Sequence, residues 1–252
     1  IPSYLYTEHD LNLKGFETIF KHTDIGNLMH DHIQQAKTAV LQPNTQHPIL
    51  QKHPIVFFTG SRPQHFAALF PYFCTVIKHL QEHYPEETFA IQLSPFLKDE
   101  LIQETLKNTP NTHVTLIETN SQHALSTAKL IVTIPGTNTA EAMYYNTPMI
   151  VTLPLTRPDL IIFDGLLGIL GKLPVLGYLI KSLAIKALRS KIKFVSHPNK
   201  KEDQEIVPEI IGKYSEKEIS ERIRPYLKDE EINAIKSRLQ GIIHKTGTAT
   251  HI

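Results

Sequence analysis

From Pro54 onward the chain repeats one pattern: a short, continuous apolar run, a polar turn, then an amphipathic stretch of helical length. The apolar runs are Ile55–Phe58, Phe89–Leu93, His113–Ile117, Leu130–Ile134 and Met149–Leu153. Between them, apolar spacing predicts helices over 64–83, 97–108, 120–128 and 138–146. In the last of these, Asn138 precedes Glu141 by three residues, the spacing of a capping box, and Pro148 closes it. Strands that are apolar throughout need cover on both faces, and strands alternating with helices pair in parallel. The expected architecture is therefore an α/β domain with a doubly wound parallel sheet. Lys193–Ser196 reads as one more strand, Ser215-Glu216-Lys217-Glu218 as the capped start of a helix, and 230–244 as a closing helix.

Composition supports this and narrows the function classes. With 252 residues, 41% hydrophobic and 20% charged, the chain is an ordinary globular one, free of internal repeats and low-complexity tracts. A single cysteine, Cys74, excludes a disulfide framework and a cysteine-based zinc site, and points to a reducing compartment. The net charge of +1 hides a segregation: eight cations and no acid lie between Lys172 and Lys201, leaving −7 elsewhere. A local anionic partner fits such a distribution better than nucleic acid, whose basic footprint is more extensive. The start of the chain shows no charged n-region followed by an apolar h-region, so no signal-peptide pattern is visible, and the expectation of a cytoplasmic location rests on the lone cysteine. It also begins at Ile1 without Met, as a fragment or processed product would.

Three stretches carry residue types suited to chemistry. Phe57-Phe58-Thr59-Gly60-Ser61-Arg62 runs from strand into a Gly-Ser-Arg turn, where glycine admits a ligand to the backbone and arginine offers a forked cation for phosphate. A plain β-to-α turn with a surface arginine would look the same. Ile134-Pro135-Gly136-Thr137-Asn138-Thr139-Ala140-Glu141 is a second strand, glycine turn and helix start, in which backbone N–H groups suit phosphate and Glu141 suits ribose hydroxyls. Glu141 as a simple helix cap is the competing reading. The third, Ser196-His197-Pro198-Asn199 with Glu205-Ile206-Val207-Pro208-Glu209, places Asn199 where it could read a base or sugar, or merely form a turn.

In this order the stretches resemble the C-terminal half of lipid-A-disaccharide synthase and its relatives, glycosyltransferases of the GT-B fold. The likeness begins at Ile25-Gly26-Asn27-Leu28-Met29-His30-Asp31 and continues through Thr59–Arg62, Pro135–Glu141 and Pro198-Asn199…Val207-Pro208-Glu209, covering Asp24 to Leu239. The resemblance implies a Rossmann-like domain with C-terminal helices and a UDP-sugar donor resembling UDP-N-acetylglucosamine. It also implies a lipid or lipid-like acceptor and inversion at the anomeric carbon. Arg62, with the Gly60–Ser61 backbone, would meet the pyrophosphate and serve as the catalytic cation. Gly136, Thr137, Asn138 and Glu141 would meet phosphate and ribose, and Asn199 the nucleotide. There is no Asp-x-Asp motif, so no metal or other cofactor is expected. Thr59 stands where the family has Pro, and Lys200–Gln204 lacks the Arg found before the last Glu, marking a divergent branch with an open acceptor. Residues 1–33 then read as the remnant of an N-terminal domain plus linker, and 34–252 as the nucleotide-sugar-binding domain.

An apolar insertion at about 159–192 interrupts this domain. Asp164, Lys172 and Pro174 break it, so it does not read as a spanning helix, and six cations from Lys172 to Lys193 flank its apolar residues. Two readings remain: a segment lying on anionic lipid through 160–193, which would make the protein peripheral on the cytoplasmic membrane face, or a helical pair buried against the domain or a homodimer partner. Of the 14 histidines, His30 and His32 are two apart and cannot easily share a metal, while His65, His79 and His83 read as surface residues of one helix. Two alternatives to a transferase stay open: a catalytically silent membrane-peripheral binding module, and a UDP-sugar epimerase of the same fold.

Overall fold

The computed structural model describes residues 4–7, 21–24, 33, 48–109, 114–118, 120–155 and 193–243. Two short strands near the start, β1 (Tyr4–Thr7) and β2 (Lys21–Asp24), pair in parallel. The main sheet has six parallel strands: β3 (Ile55–Phe58), β4 (Phe89–Gln92), β5 (Thr115–Ile117), β6 (Leu130–Thr133), β7 (Met149–Pro154) and β8 (Glu209–Gly212). Their spatial order is β5-β4-β3-β6-β7-β8. That is the order of a doubly wound, Rossmann-like sheet, in which the chain starts in the middle and builds outward in both directions.

Why the apolar runs are continuous is visible in β3. Ile55 and Phe57 pack into the core on one face, Val56 and Phe58 into the core on the other, and all four are buried. The first face is covered by α1 (Pro63–Gln81), α2 (Asp99–Lys107) and α6 (Glu216–Ile223), with Phe66, Leu69, Phe73 and Ile219 fully buried. The second is covered by α3 (Ser121–Thr127), α4 (Thr137–Tyr145) and α7 (Asp229–Ile243), through Leu125, Met143, Ile235 and Leu239. Burying each such side chain is worth about 1.5–3 kcal/mol, so the two cores together outweigh any single polar contact described below.

Local signals place the ends of these elements. Ser215 and Glu218 form the expected capping box: the Ser215 hydroxyl accepts from the Glu218 amide, and the Glu218 carboxylate accepts from Ser215. Asn146 ends α4 in the left-handed region at φ 56°. The start of α4 differs from expectation, because Gly136 is its N-cap and Asn138 lies inside the first turn, so the Asn138/Glu141 capping box does not form. Instead Thr139 donates from both its amide and its hydroxyl to the Gly136 carbonyl.

A second difference concerns the last strand. Lys193–Ser196 is not a strand; the sixth is Glu209–Gly212, in register with β7 from Val151↔Glu209 to Pro154↔Gly212. The physical reason is that the Val195 and Ser196 amides donate to the Glu209 carboxylate rather than to a ladder. The chain then enters a short helix, α5 (His197–Glu202). Between β2 and residue 48 only Ile33 lies among the described residues, where it is helical and buried. The apolar insertion at 159–192 lies outside them.

Candidate functional site

The strand order locates a crevice before any side chain is considered. β3 and β6 are neighbours, with Phe58 level with Thr133, but the chain leaves β3 toward the α1 face and β6 toward the α4 face. Where adjacent parallel strands send their connections to opposite faces, the turns diverge and leave a cleft beyond the carboxyl ends. Here the cleft is lined by Gly60, Ser61, Arg62, His65, Ile134, Pro135, Gly136, Thr137 and Asn138. Its volume is about 220 Å³. This is below the roughly 300–1,000 Å³ of a complete small-molecule site, so it suits one part of a ligand, such as a phosphate or diphosphate.

The two turns are built differently. Gly60 has φ +85°, a conformation glycine adopts at no steric cost, and a Cβ there would lie 3.0 Å from Ile134 Cδ1 and 3.3 Å from His65 Nδ1. Glycine thus lets the first turn press against the end of β6. Arg62 follows in extended conformation as the N-cap of α1, its side chain exposed and making no cap bond, and Pro63 sets the first helical position. Gly136 is extended, and a Cβ built on it would meet no atom within 4 Å. Its backbone therefore borders open space, which is where a ligand can approach closely.

The electrostatics favour an anion. Two helices, α1 and α4, begin at the cleft, and each N-terminus carries a partial positive charge from its aligned peptide dipoles. Among the described residues, those lining the cleft add one permanent cation, Arg62, and contain no carboxylate. Ser61 and Thr137 bring hydroxyls and Asn138 an amide, all able to donate to phosphate oxygens.

Of the eight residues expected from the sequence, Gly60, Ser61, Arg62, Gly136, Thr137 and Asn138 are brought together here. Glu141 and Asn199 are not among the lining residues. Glu141 lies half-buried one turn along α4; burial, and then its charge, raise the pKa of the Tyr145 phenol. Asn199 on α5 is fully buried, and its side chain is committed within the protein. Its Nδ2 donates to the Val207 carbonyl at 2.8 Å and to Glu209 Oε1 at 2.9 Å, while its Oδ1 accepts from the Ile206 and Val207 amides at 2.8 and 2.9 Å. Its position corrects the expectation that this side chain reads a base or sugar directly, because all four of its hydrogen-bonding positions are used.

Two residues stand out to which the sequence assigned no part in the site. Glu209 gathers the Val195 and Ser196 amides, the Ser196 hydroxyl and Asn199 Nδ2 on one carboxylate, and so fixes the entry to α5. α5 in turn is tied to the first turn of α4, where the His197 amide donates to Thr139 Oγ1 at 3.0 Å. The second is His65, which read as a surface residue but is half-buried and lines the cleft. Its position three residues after Arg62, in the first turn of the same helix, is the signal that could have found it. Among the described residues, no group of three or more His, Cys, Asp or Glu could hold a metal ion, and no helix is long and apolar enough to cross a membrane.

Comparison with known proteins gives the chain's relatives. The lipid-A-disaccharide synthetase family model matches residues 16–246. A lipid-A-disaccharide synthase of Hahella chejuensis is 27% identical over 193 residues, covering 76% of this chain and 43% of that protein. One from Haemophilus influenzae is 28% identical over 197 residues, covering 76% of this chain and 44% of its own length. The chain thus spans less than half the length of these relatives. Among solved structures, the UDP-GlcNAc 2-epimerase of Methanocaldococcus jannaschii, in complex with UDP-GlcNAc and UDP, aligns over 96% of this chain and 61% of its own, with 14% identity and a TM-score of 0.47. With the family model matching nearly the whole sequence, the chain belongs to the lipid-A-disaccharide synthetase family.

Proposed function

We propose that this chain is the donor-binding half of a glycosyltransferase that moves a sugar from a UDP-sugar, one resembling UDP-N-acetylglucosamine, to a lipid or lipid-like acceptor. The observation that carries the reading is the cleft between β3 and β6, holding Arg62 and the starts of two helices and, among the described residues, no carboxylate, in a chain of this family. As the bond between sugar and diphosphate breaks, negative charge builds on the departing UDP. Preformed donors aimed at that charge lower the barrier, because they need no reorganisation at the moment of reaction.

Each residue has an assigned part. Arg62 pairs with the diphosphate and stabilises the leaving group; Ser61, Thr137 and Asn138 donate to its oxygens; Gly60 and Gly136 let backbone come close. Glu141, further along α4, accepts from ribose hydroxyls. Asn199 acts at one remove, holding the loop that ties α5 to α4. In this scheme fixed protein charge takes the role a divalent cation has in other transferases. The acceptor is taken to reach the site from an anionic membrane surface through 160–193, on the cytoplasmic side.

Calorimetric titration of UDP-N-acetylglucosamine tests the reading. The expected result is binding that weakens about tenfold or more in Arg62→Ala, the loss of one charge-assisted phosphate contact. A folded wild type that binds neither UDP nor the UDP-sugar would overturn it.

A further inference from the structure

The cleft between β3 and β6, at about 220 Å³, has room for a diphosphate but not for a whole UDP-sugar, so the rest of a donor must lie over the strand ends on either side. On the β6 side is α4, whose Glu141 is assigned the ribose. On the β3 side the next strand is β4, and the connection leaving it carries Phe96. Phe96 is 78% exposed, the one large apolar side chain in that state among the described residues. A lone exposed apolar residue is ordinary in itself. Position and rigidity single this one out.

The position follows from register. Phe58 is level with Gln92, so β3 and β4 end at the same edge of the sheet, one strand spacing or about 5 Å apart. Arg62 follows Phe58 by four residues and Phe96 follows Gln92 by four, and the two connections lead to helices on the same face, α1 and α2. The rigidity follows from the turn. The Leu97 amide donates to the Ser94 carbonyl at 3.1 Å and the Phe96 amide to Ser94 Oγ at 3.4 Å, with Pro95, whose ring fixes its φ, at the second position. Leu93 and Leu97 are both buried in the core, so the exposed ring between them is carried on backbone pinned at each side. Little ordering is left for a ligand to impose.

We propose that Phe96 is the platform on which the donor's transferred sugar ring lies. The inference rests on the donor reading and deepens it by placing the sugar. A diphosphate separates ribose from sugar; with the ribose drawn toward α4 on the β6 side, the sugar extends to the other side, over the end of β4. A hexose ring presents C–H groups on its faces and hydroxyls around its rim. An aromatic ring can therefore cover one face of the sugar, removing apolar area from water on both partners, while the hydroxyls stay solvated.

Calorimetry on the full chain with two probes, UDP and UDP-N-acetylglucosamine, separates sugar from nucleotide. Phe96→Ala should weaken UDP-N-acetylglucosamine about fivefold, leave UDP within about twofold, and keep the wild-type thermal midpoint, as for an exposed side chain. Phe96→Tyr should retain wild-type affinity for both. Because the chain contains no tryptophan, Phe96→Trp adds a single fluorophore, whose emission should shift on saturation with UDP-N-acetylglucosamine and not with UDP. Unchanged affinity of Phe96→Ala for the UDP-sugar would overturn the inference and turn attention to an acceptor or another chain as what covers the ring. An equal loss with both probes, or an emission shift already complete with UDP, would overturn it by putting the ring on the nucleotide. In each of these cases wild-type binding of UDP leaves the donor reading intact, whereas a folded wild type that binds neither probe overturns both.

Discussion

Two polar clusters flank α4, and they use the same residue types in opposite ways. In the cleft, Ser61 and Arg62 are exposed, Asn138 is half-buried, and Gly136 borders empty space. In the α5 loop, Ser196 and Asn199 are fully buried, and their bonds to Glu209, Val207 and Ile206 close within the protein. A buried polar group that is fully paired contributes to stability mainly because unpairing it is costly. A polar group directed at open space contributes little to folding and is left for a ligand. The pairing of side chains, rather than their identity, thus separates a structural asparagine from a ligand-facing one.

The comparison can be broken most forcefully from the structural side. Glu209→Ala would strip the acceptor from the Val195 and Ser196 amides, the Ser196 hydroxyl and Asn199, and should cost about 3 kcal/mol in urea denaturation. The folded variant should still bind UDP-N-acetylglucosamine within about twofold of wild type; a collapse of affinity at unchanged stability would reverse the assignment of this loop. Arg62→Ala is the mirror image. Its affinity should fall about tenfold or more, while stability stays within about 0.5 kcal/mol, as for an exposed side chain.

The two glycines sharpen the contrast. Gly60→Ala places a Cβ against Ile134 at 3.0 Å in a residue at φ +85°, and should lose about 1–2 kcal/mol of stability. Gly136→Ala meets no protein atom within 4 Å. It should leave the thermal midpoint nearly unchanged yet weaken donor binding, and equal destabilisation by both substitutions would contradict the distinction drawn here. The smallest effect is expected at Ser215→Ala, remote from the cleft, with about 1 kcal/mol lost from the capping box. The pH dependence of that box has a defined sign. The Ser215 amide and hydroxyl hold the Glu218 carboxyl below its usual value. Its contribution is therefore full above the ordinary glutamate range and is lost as the pH falls through the depressed one.

Much of the fold was legible because its signals are local. Continuous apolar runs such as Ile55–Phe58 report strands covered on both faces, and Ser215 followed by Glu218 reports a capped helix, since each depends on residues within a few positions. Both glycine turns were legible for the same reason, as strand ends passing into helix starts. His65 was not, because its imidazole reads as surface until the end of β6 is placed beside it. The expected strand at Lys193–Ser196 failed because a carboxylate 13 and 14 residues later captured its amides, a competition that local pattern does not contain.

The sequence by itself determined which segments become strands and helices, and that two glycine turns with an arginine and hydroxyls stand at strand ends. Only the tertiary structure decided that β3 and β6 are neighbours, which brings Arg62 within one cleft with Thr137, 75 positions away in the chain. It alone decided that Asn199 turns inward while Asn138 faces the cleft. Helices and strands follow from propensity and periodicity over a handful of residues. Strand order and the partner of a buried amide depend on contacts between distant segments, whose identity emerges only when the whole sheet is assembled.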